Sequence, residues 1–241
     1  MKSFVMLGQS NMAGRGDFDV PLLTHPRAKM LRNGLWTAMG EPVNPDHAIF
    51  EGLYHSGVSL APQFAVDFCE KFPEETCGLV PCAHGGTVIE QWQPGETLFE
   101  NAVFQIKMAQ KTSEVAGFLF HQGESNAHDG KFEHYEERFE TFYEGLVRET
   151  GLKDVPFLIG ELGEYLKDAY LPGRPNDIPK NFPYVNDMLK RIVSRHPNFA
   201  FVPSTGLGCK PDKLHLHSAA LREFGHRYFQ AWLAITDQTA Q

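Results

Sequence analysis

Five short apolar runs punctuate the chain, at residues 3–8, 78–83, 117–122, 156–160 and 199–204. They are unbroken rather than alternating, the pattern of strands buried on both faces of a parallel sheet. Between them the period changes. Phe64, Phe68 and Phe72 recur every four residues within 61–72, and Tyr135, Phe139, Phe142 and Leu146 share one stripe within 132–150. Segments 184–196 and 219–235 repeat in the same way, so these four segments predict amphipathic helices. Strands alternating with helices predict an α/β fold, doubly wound about a parallel sheet with right-handed crossovers. Ligands of such sheets gather beyond the carboxyl ends of the strands. The residues that follow each strand are therefore where chemistry is sought.

Two stretches, 17–56 and 164–181, are rich in Pro, Gly and polar residues and carry no predicted element. They exceed the usual connection of about 4–6 residues and have the length of site walls or lids. No repeat or linker composition divides the chain, and its 241 residues suit one domain spanning 1–241.

Charge and cysteine content narrow the function classes. The formal net charge is −8 and the 22 basic residues are scattered, which argues against a nucleic-acid partner. No run approaches the roughly 20 apolar residues of a membrane span. The first residues enter a strand at once, so the expectation is a cytoplasmic protein unless a signal segment has been removed. Cys69, Cys77, Cys82 and Cys209 lie in apolar surroundings with no C-x-x-C pair, and are expected to be buried free thiols. Oligomeric state has no signature here.

Four polar clusters follow predicted strands. Gly8-Gln9-Ser10-Asn11-Met12-Ala13-Gly14 places a serine at the head of the segment after a tight turn. There its hydroxyl can face a cleft and its N–H can meet an anion, although a serine in this position also serves as a helix cap. The spacing is not G-x-S-x-G. Ala83-His84-Gly85-Gly86-Thr87 offers bare backbone N–H groups or a plain turn, and lacks the Lys-Ser/Thr ending of a phosphate loop. His121-Gln122-Gly123-Glu124-Ser125-Asn126 brings imidazole, amide and carboxylate to the sheet edge. Finally, Asp212 stands three residues before His215, a spacing that lets the carboxylate hold the ring Nδ1–H and leaves Nε2 as a base. His215 and His217 also form an H-x-H pair, but zinc needs three or four ligands, and no metal or other cofactor is expected.

In combination and in order, these clusters resemble the sequence blocks of the SGNH/GDSL hydrolases, in the variant of carbohydrate esterase family 6 and the sialate O-acetylesterase-like proteins. The resemblance spans residue 8 to about 230 and includes Gln91-Trp92 after the second block. It implies a three-layer α/β/α sandwich with a five-stranded parallel sheet in the order 2-1-3-4-5. It also implies deacetylation of esters, often on sugars, so the expected partner is a small-molecule or oligosaccharide ester. Ser10 is then the nucleophile, His215 its base and Asp212 the orienting carboxylate. The N–H groups of Ser10 and Gly86 and the Gln122 side-chain amide are the expected oxyanion donors. Gln9, Asn11, Arg15, Gly85, Trp92, Glu124 and Asn126 are expected to support the site or line the substrate. Two other readings stay open at this point. A carboxylate-pair glycosidase could use Glu124 with Glu161. A silent carbohydrate-binding protein could use Trp92, Arg15 and Tyr165 as a groove.

Overall fold

Among the described residues, seven strands form one sheet: β1 (Lys2–Gly8), β2 (Ala28–Arg32), β3 (Leu35–Ala38), β4 (Cys77–Pro81), β5 (Glu114–His121), β6 (Phe157–Gly160) and β7 (Phe199–Val202). Their order across the sheet is β3-β2-β4-β1-β5-β6-β7. This is a computed structural model, describing residues 1–44, 56–169 and 178–239. The helices are α1 (Ser10–Ala13), α2 (Ala61–Lys71), α3 (Thr97–Ala109), α4 (Tyr135–Thr150), α5 (Phe182–Arg195) and α6 (Ser218–Thr239). Single 3-10 turns occupy Ile89–Trp92 and Glu164–Asp168. None of the described helices is long and apolar enough to cross a membrane.

The five predicted strands correspond to β1, β4, β5, β6 and β7, and they pair in parallel in the expected order. The expected five-stranded sheet is enlarged to seven. Within the stretch 17–56, β2 joins β4 in parallel and β3 turns back antiparallel to β2. Asn33 and Gly34 connect β2 to β3 with φ of 51° and 77°. Both values are positive, the requirement of a tight two-residue hairpin whose twist matches its strands. Of the stretches 17–56 and 164–181, expected as site walls or lids, residues 45–55 and 170–177 fall outside the described residues.

Alternate residues of β1 explain the three layers. Val5 and Leu7 face a core with Trp92, Phe99, Phe139 and Phe142 beneath α3, α4 and α5. Phe4 and Met6 face the other core, with Phe64, Phe68, Phe224 and Trp232 beneath α2 and α6. A wholly buried Phe contributes about 1.5–3 kcal/mol, so these aromatic layers are a large share of what holds the sheet rigid. Helix α3 has no counterpart among the predicted elements. It buries Leu98, Phe99, Ala102, Val103 and Ile106 at helical spacing. Helix α5 begins two residues earlier than predicted, because Pro183 sits in its first turn, where a missing N–H costs nothing. Helix α4 starts three residues later, at Tyr135, and stops where Gly151 takes a left-handed φ of 74°.

Candidate active site

At the carboxyl end of β1 the chain makes a turn that only glycine tolerates. Gly8 has φ 125°, and a Cβ there would strike the carbonyl of His121 on the adjoining strand. The next residues close the short turn α1, in which Gly14 N–H donates to Ser10 O at 2.9 Å. Ser10 opens that turn, so its own N–H precedes the first helical bond. The residue is 6% exposed.

The other end of the chain supplies the partner. Residues 209–216 form a loop closed by a bridge between Cys209 and Leu216. Inside it Asp212 Oδ1 accepts the N–H groups of Leu214 (2.9 Å) and His215 (3.0 Å). Its second oxygen, Oδ2, meets His215 Nδ1 at 2.7 Å, and His215 Nε2 lies 3.1 Å from Ser10 Oγ. Burial works to raise the Asp212 carboxyl, but hydrogen bonds from the His215 ring and from both backbone N–H groups outweigh it and hold the group at about 2. The carboxylate is thus an anion that fixes the tautomer and aims Nε2 at the serine. His217 does not compete. Its Nδ1 accepts Ala220 N–H at 3.0 Å in the first turn of α6, so the H-x-H pair diverges.

Asn11 locks these two pieces together. Its Oδ1 accepts Leu216 N–H at 3.0 Å, and its Nδ2 donates to Leu214 O at 3.3 Å, so it grips the loop on both sides of His215. The same Nδ2 donates to Glu124 Oε1 at 2.7 Å, and His121 Nε2 stands 3.2 Å from that oxygen. Burial pushes Glu124 up, yet the His121 charge and hydrogen bonds from His121 and Asn11 leave it below the ordinary carboxylate range. A buried anion therefore supports Asn11. A glycosidase acid would need the opposite shift, and Glu161 is engaged with Ser204 and Lys190. Neither carboxylate fits that alternative.

One expected role requires correction and a second is narrowed from lining to support. Gln122 is wholly buried, and its amide nitrogen points to Asn126 Oδ1 (2.8 Å), Thr87 O (3.0 Å) and Gln9 Oε1 (3.3 Å). An amide has two hydrogens, so none is left for an oxyanion. Gln122 is a brace between the second and third loops. Trp92 is wholly buried too, donating from Nε1 to Thr87 Oγ1 at 3.1 Å and resting edge-on against Phe142. It underpins the 84–88 loop and lines no cleft.

The remaining expected residues gather as follows. Gly86 is exposed with φ 74°, and the preceding His84 is tied by its N–H to Gly8 O at 2.8 Å, which brings the paired glycines beside Ser10. A Cβ on Gly85 would meet the end of the flexible Arg15 guanidinium and touch Ser10 Cβ, so both side chains lie beside this glycine. Arg15 thus flanks the serine. Burial, with the Arg15 charge, holds His84 below the ordinary imidazole range. Gln9 Oε1 faces Gly123 N (3.4 Å) and Ser125 N (3.3 Å), and Asn126 Nδ2 donates to Glu90 and Lys131. Tyr165 packs against both cores and lines a cavity of about 630 Å³ between Glu161, Asn186, Lys190 and Ser204, beyond β6 and β7.

Two supporting residues were given no role of their own from sequence. Thr87 holds its loop by donating Oγ1 to His84 O at 2.8 Å, and the Tyr135 hydroxyl reaches Gln122 O and Oε1 at 3.0 and 2.8 Å. Tyr135 reads from sequence only as part of an apolar stripe, although a buried tyrosine hydroxyl always needs a partner.

A serine after the first strand and a histidine after the last, at the carboxyl edge of this sheet, define the class as an SGNH-type hydrolase. The chain belongs to the carbohydrate esterase, sialic acid-specific acetylesterase family, whose model matches residues 1–234, and it is a carboxylic ester hydrolase. A protein named a probable carbohydrate esterase from Arabidopsis thaliana is 27% identical over 253 residues, covering 96% of this chain and 90% of that protein. The X-ray structure of that plant protein has a TM-score of 0.78 at 25% identity, covering 97% and 98% of the two chains. NanS has a TM-score of 0.75 at 17% identity, over 98% of this chain and 97% of that one. A carbohydrate acetylesterase from Xanthomonas citri has a TM-score of 0.65 at 20% identity, over 97% of this chain and 56% of that one. At these identities the last two establish likeness of fold.

Proposed function

We propose that Ser10, His215 and Asp212 act as a catalytic triad that removes acetyl groups from O-acetylated carbohydrates, sialates among them, through an acyl-enzyme. The observation that carries this reading is the continuous path from Ser10 Oγ to His215 Nε2 (3.1 Å) and from Nδ1 to Asp212 Oδ2 (2.7 Å). Ser10 Oγ attacks the acetyl carbonyl as His215 Nε2 takes its proton. The same nitrogen returns the proton to the departing sugar hydroxyl. Water then attacks the acetyl-serine by the same route, releasing acetate and restoring the serine. Asp212 stabilises the imidazolium formed in each half-reaction.

Backbone N–H groups of Ser10 and Gly86 are the donors we assign to the oxyanion. Donors fixed in the backbone need no reorganisation as charge develops, and one such donor is typically worth about 10²–10³ in rate.

The test is acetate release from O-acetylated sialate, acetylated neutral sugars and p-nitrophenyl acetate. Wild type should release acetate from the sugars, and Ser10→Ala should lose roughly 10⁴-fold or more while melting like wild type. Equal turnover by folded Ser10→Ala would remove Ser10 from the mechanism.

A further inference from the structure

Tyr165 and the cavity it lines have no part in the chemistry assigned to Ser10. The cavity, of about 630 Å³, opens beyond β6 and β7, at the same carboxyl edge of the parallel strands on which Ser10 stands. That volume falls within the roughly 300–1,000 Å³ of small-molecule sites. Three elements wall it: the first turns of α5, the 3-10 turn Glu164–Asp168, and residues 204–207 after β7. Residues 204–207 lead into the loop closed by Cys209 and Leu216 that carries His215, so the cavity adjoins the base of that loop. On α5, Pro183, Asn186, Asp187 and Lys190 follow the i, i+3, i+4, i+7 spacing of one helical face, and all four line the cavity.

The lining divides into spent and unspent groups. Asn186 is spent, since its Oδ1 accepts Leu162 N–H and its Nδ2 donates to Leu162 O, both at 2.9 Å. Glu161 Oε2 accepts Ser204 N–H at 2.9 Å and the Ser204 hydroxyl at 3.3 Å, which ties the ends of β6 and β7 together. These two brace the walls. Asp187 is exposed, with neither hydrogen bond nor ion pair among the described residues. Lys190 stands 3.8 Å from Glu161 Oε1, beyond hydrogen-bond reach, with its ammonium 5.3 Å from the centre of the Phe201 ring. It keeps its donors for a ligand. Tyr165 is the sharpest case. Its ring rests on the bare backbone of Gly163, and its hydroxyl has no hydrogen-bond partner among the described residues. Burial, reinforced by the charges of Glu124, Cys209 and Asp212, pushes that hydroxyl well above the ordinary tyrosine range, so it stays a neutral donor. A tyrosine hydroxyl taken out of water needs a partner, and the cavity is where one can enter.

Donors and acceptors with bonding capacity to spare stand here beside apolar wall from Leu162, Phe182 and Leu207. A sugar ring matches that mixture, because its hydroxyls donate and accept around the rim while its C–H faces are apolar. We propose that this cavity is the subsite for a sugar ring in the alcohol part of the ester, held by Tyr165, Asp187 and Lys190. The proposal rests on the esterase reading above and adds where the alcohol is gripped. Tyr165 and Lys190 donate to ring hydroxyls, and Asp187 accepts from them. The ring lies away from the carbonyl under attack, so these contacts are made equally before and during the reaction and act on KM rather than kcat.

Two readouts test the subsite. In the first, sialate and glucose are each titrated into the full chain carrying Ser10→Ala, followed by calorimetry. One of them should bind saturably, and the affinity should fall about tenfold or more when Tyr165→Phe or Lys190→Met is added. The second readout places the same two substitutions in the active chain. There kcat/KM for whichever acetylated sugar wild type deacetylates faster, divided by kcat/KM for p-nitrophenyl acetate, should fall about tenfold, chiefly through KM. Lys190 is exposed, so Lys190→Met keeps the test open even where Tyr165→Phe fails to fold. No saturable binding of either sugar, or either readout indifferent to both substitutions, would overturn the subsite. Failure of the esterase reading looks different: wild type would release no acetate from p-nitrophenyl acetate, while the titration would still decide the cavity.

Discussion

The Ser10–Asp212–His215 trio and the His121–Asn126 block lie against each other and are built on opposite principles. In the trio the His215 and Asp212 side chains are 15% and 33% exposed, and the Ser10 hydroxyl has the His215 ring as its partner. In the block Gln122 and Asn126 are buried and fill their hydrogen bonds within the block and with neighbouring loops, while buried Glu124 is held through Oε1 by Asn11 and His121. A group that does chemistry must keep bonding capacity for substrate. A group that positions must have spent it. The contact between the regions is Asn11, which holds the His215 loop with one face and the Glu124 carboxylate with the other.

Substitutions should separate the two regions by what they damage, and the largest effects belong to the trio. Next after Ser10→Ala stands Asp212→Asn, which keeps the shape but loses the tautomer control, and kcat should fall about 10³–10⁴-fold with KM little changed. The same variant has a stability signature. The Asp212 carboxyl titrates at about 2 folded against an ordinary 3.8, so it binds its proton more weakly in the native state. Its contribution is complete above about pH 4 and lost as pH falls towards 2. Asp212→Asn should flatten that part of the melting-temperature profile, and an unchanged acid limb would show that Asp212 does not make it.

Asn11→Ala sharpens the comparison at its seam. It frees the His215 loop and leaves Glu124 with one fewer donor, so kcat should drop roughly 10–100-fold by misplacement of the base. KM should change much less in steady-state kinetics, and Asn11→Asp should not restore the rate, because a carboxylate cannot donate to Leu214 and Glu124. Gln122→Ala belongs to the block. It should cost about 1–3 kcal/mol in denaturant unfolding by stranding buried polar partners. Rate per folded molecule should fall under about tenfold, below the 10²–10³ of a lost oxyanion donor. A larger rate loss at unchanged stability would return Gln122 to the oxyanion site.

Strands β1, β4, β5, β6 and β7 were legible because each is covered on both faces and shows as a solid apolar run. The β2–β3 hairpin was less so, since its strands carry Lys29, Arg32 and Thr37 at an edge where one face meets water. Its clearest signal is the Asn33-Gly34 pair, whose positive φ angles suit a two-residue turn. The pairing of Asp212 with His215 rather than His217 was readable from spacing, because the acid reaches only the ring three residues on. The role of Gln122 was not. An amide at that position serves equally as donor to substrate or as brace, and the choice is made by Asn126 four residues on and by Thr87 and Gln9, which lie far away in the chain on other loops. Trp92 likewise looks the same in sequence whether it meets solvent or Phe142.

The most direct measurement is intact-mass and peptide analysis after a fluorophosphonate probe is applied near neutral pH. The account predicts one adduct per chain, on Ser10, with loss of acetate release in step with labelling, and sharply slower labelling in Asp212→Asn. An unlabelled wild-type protein that still releases acetate, or an adduct on another residue at the rate of inactivation, would contradict it.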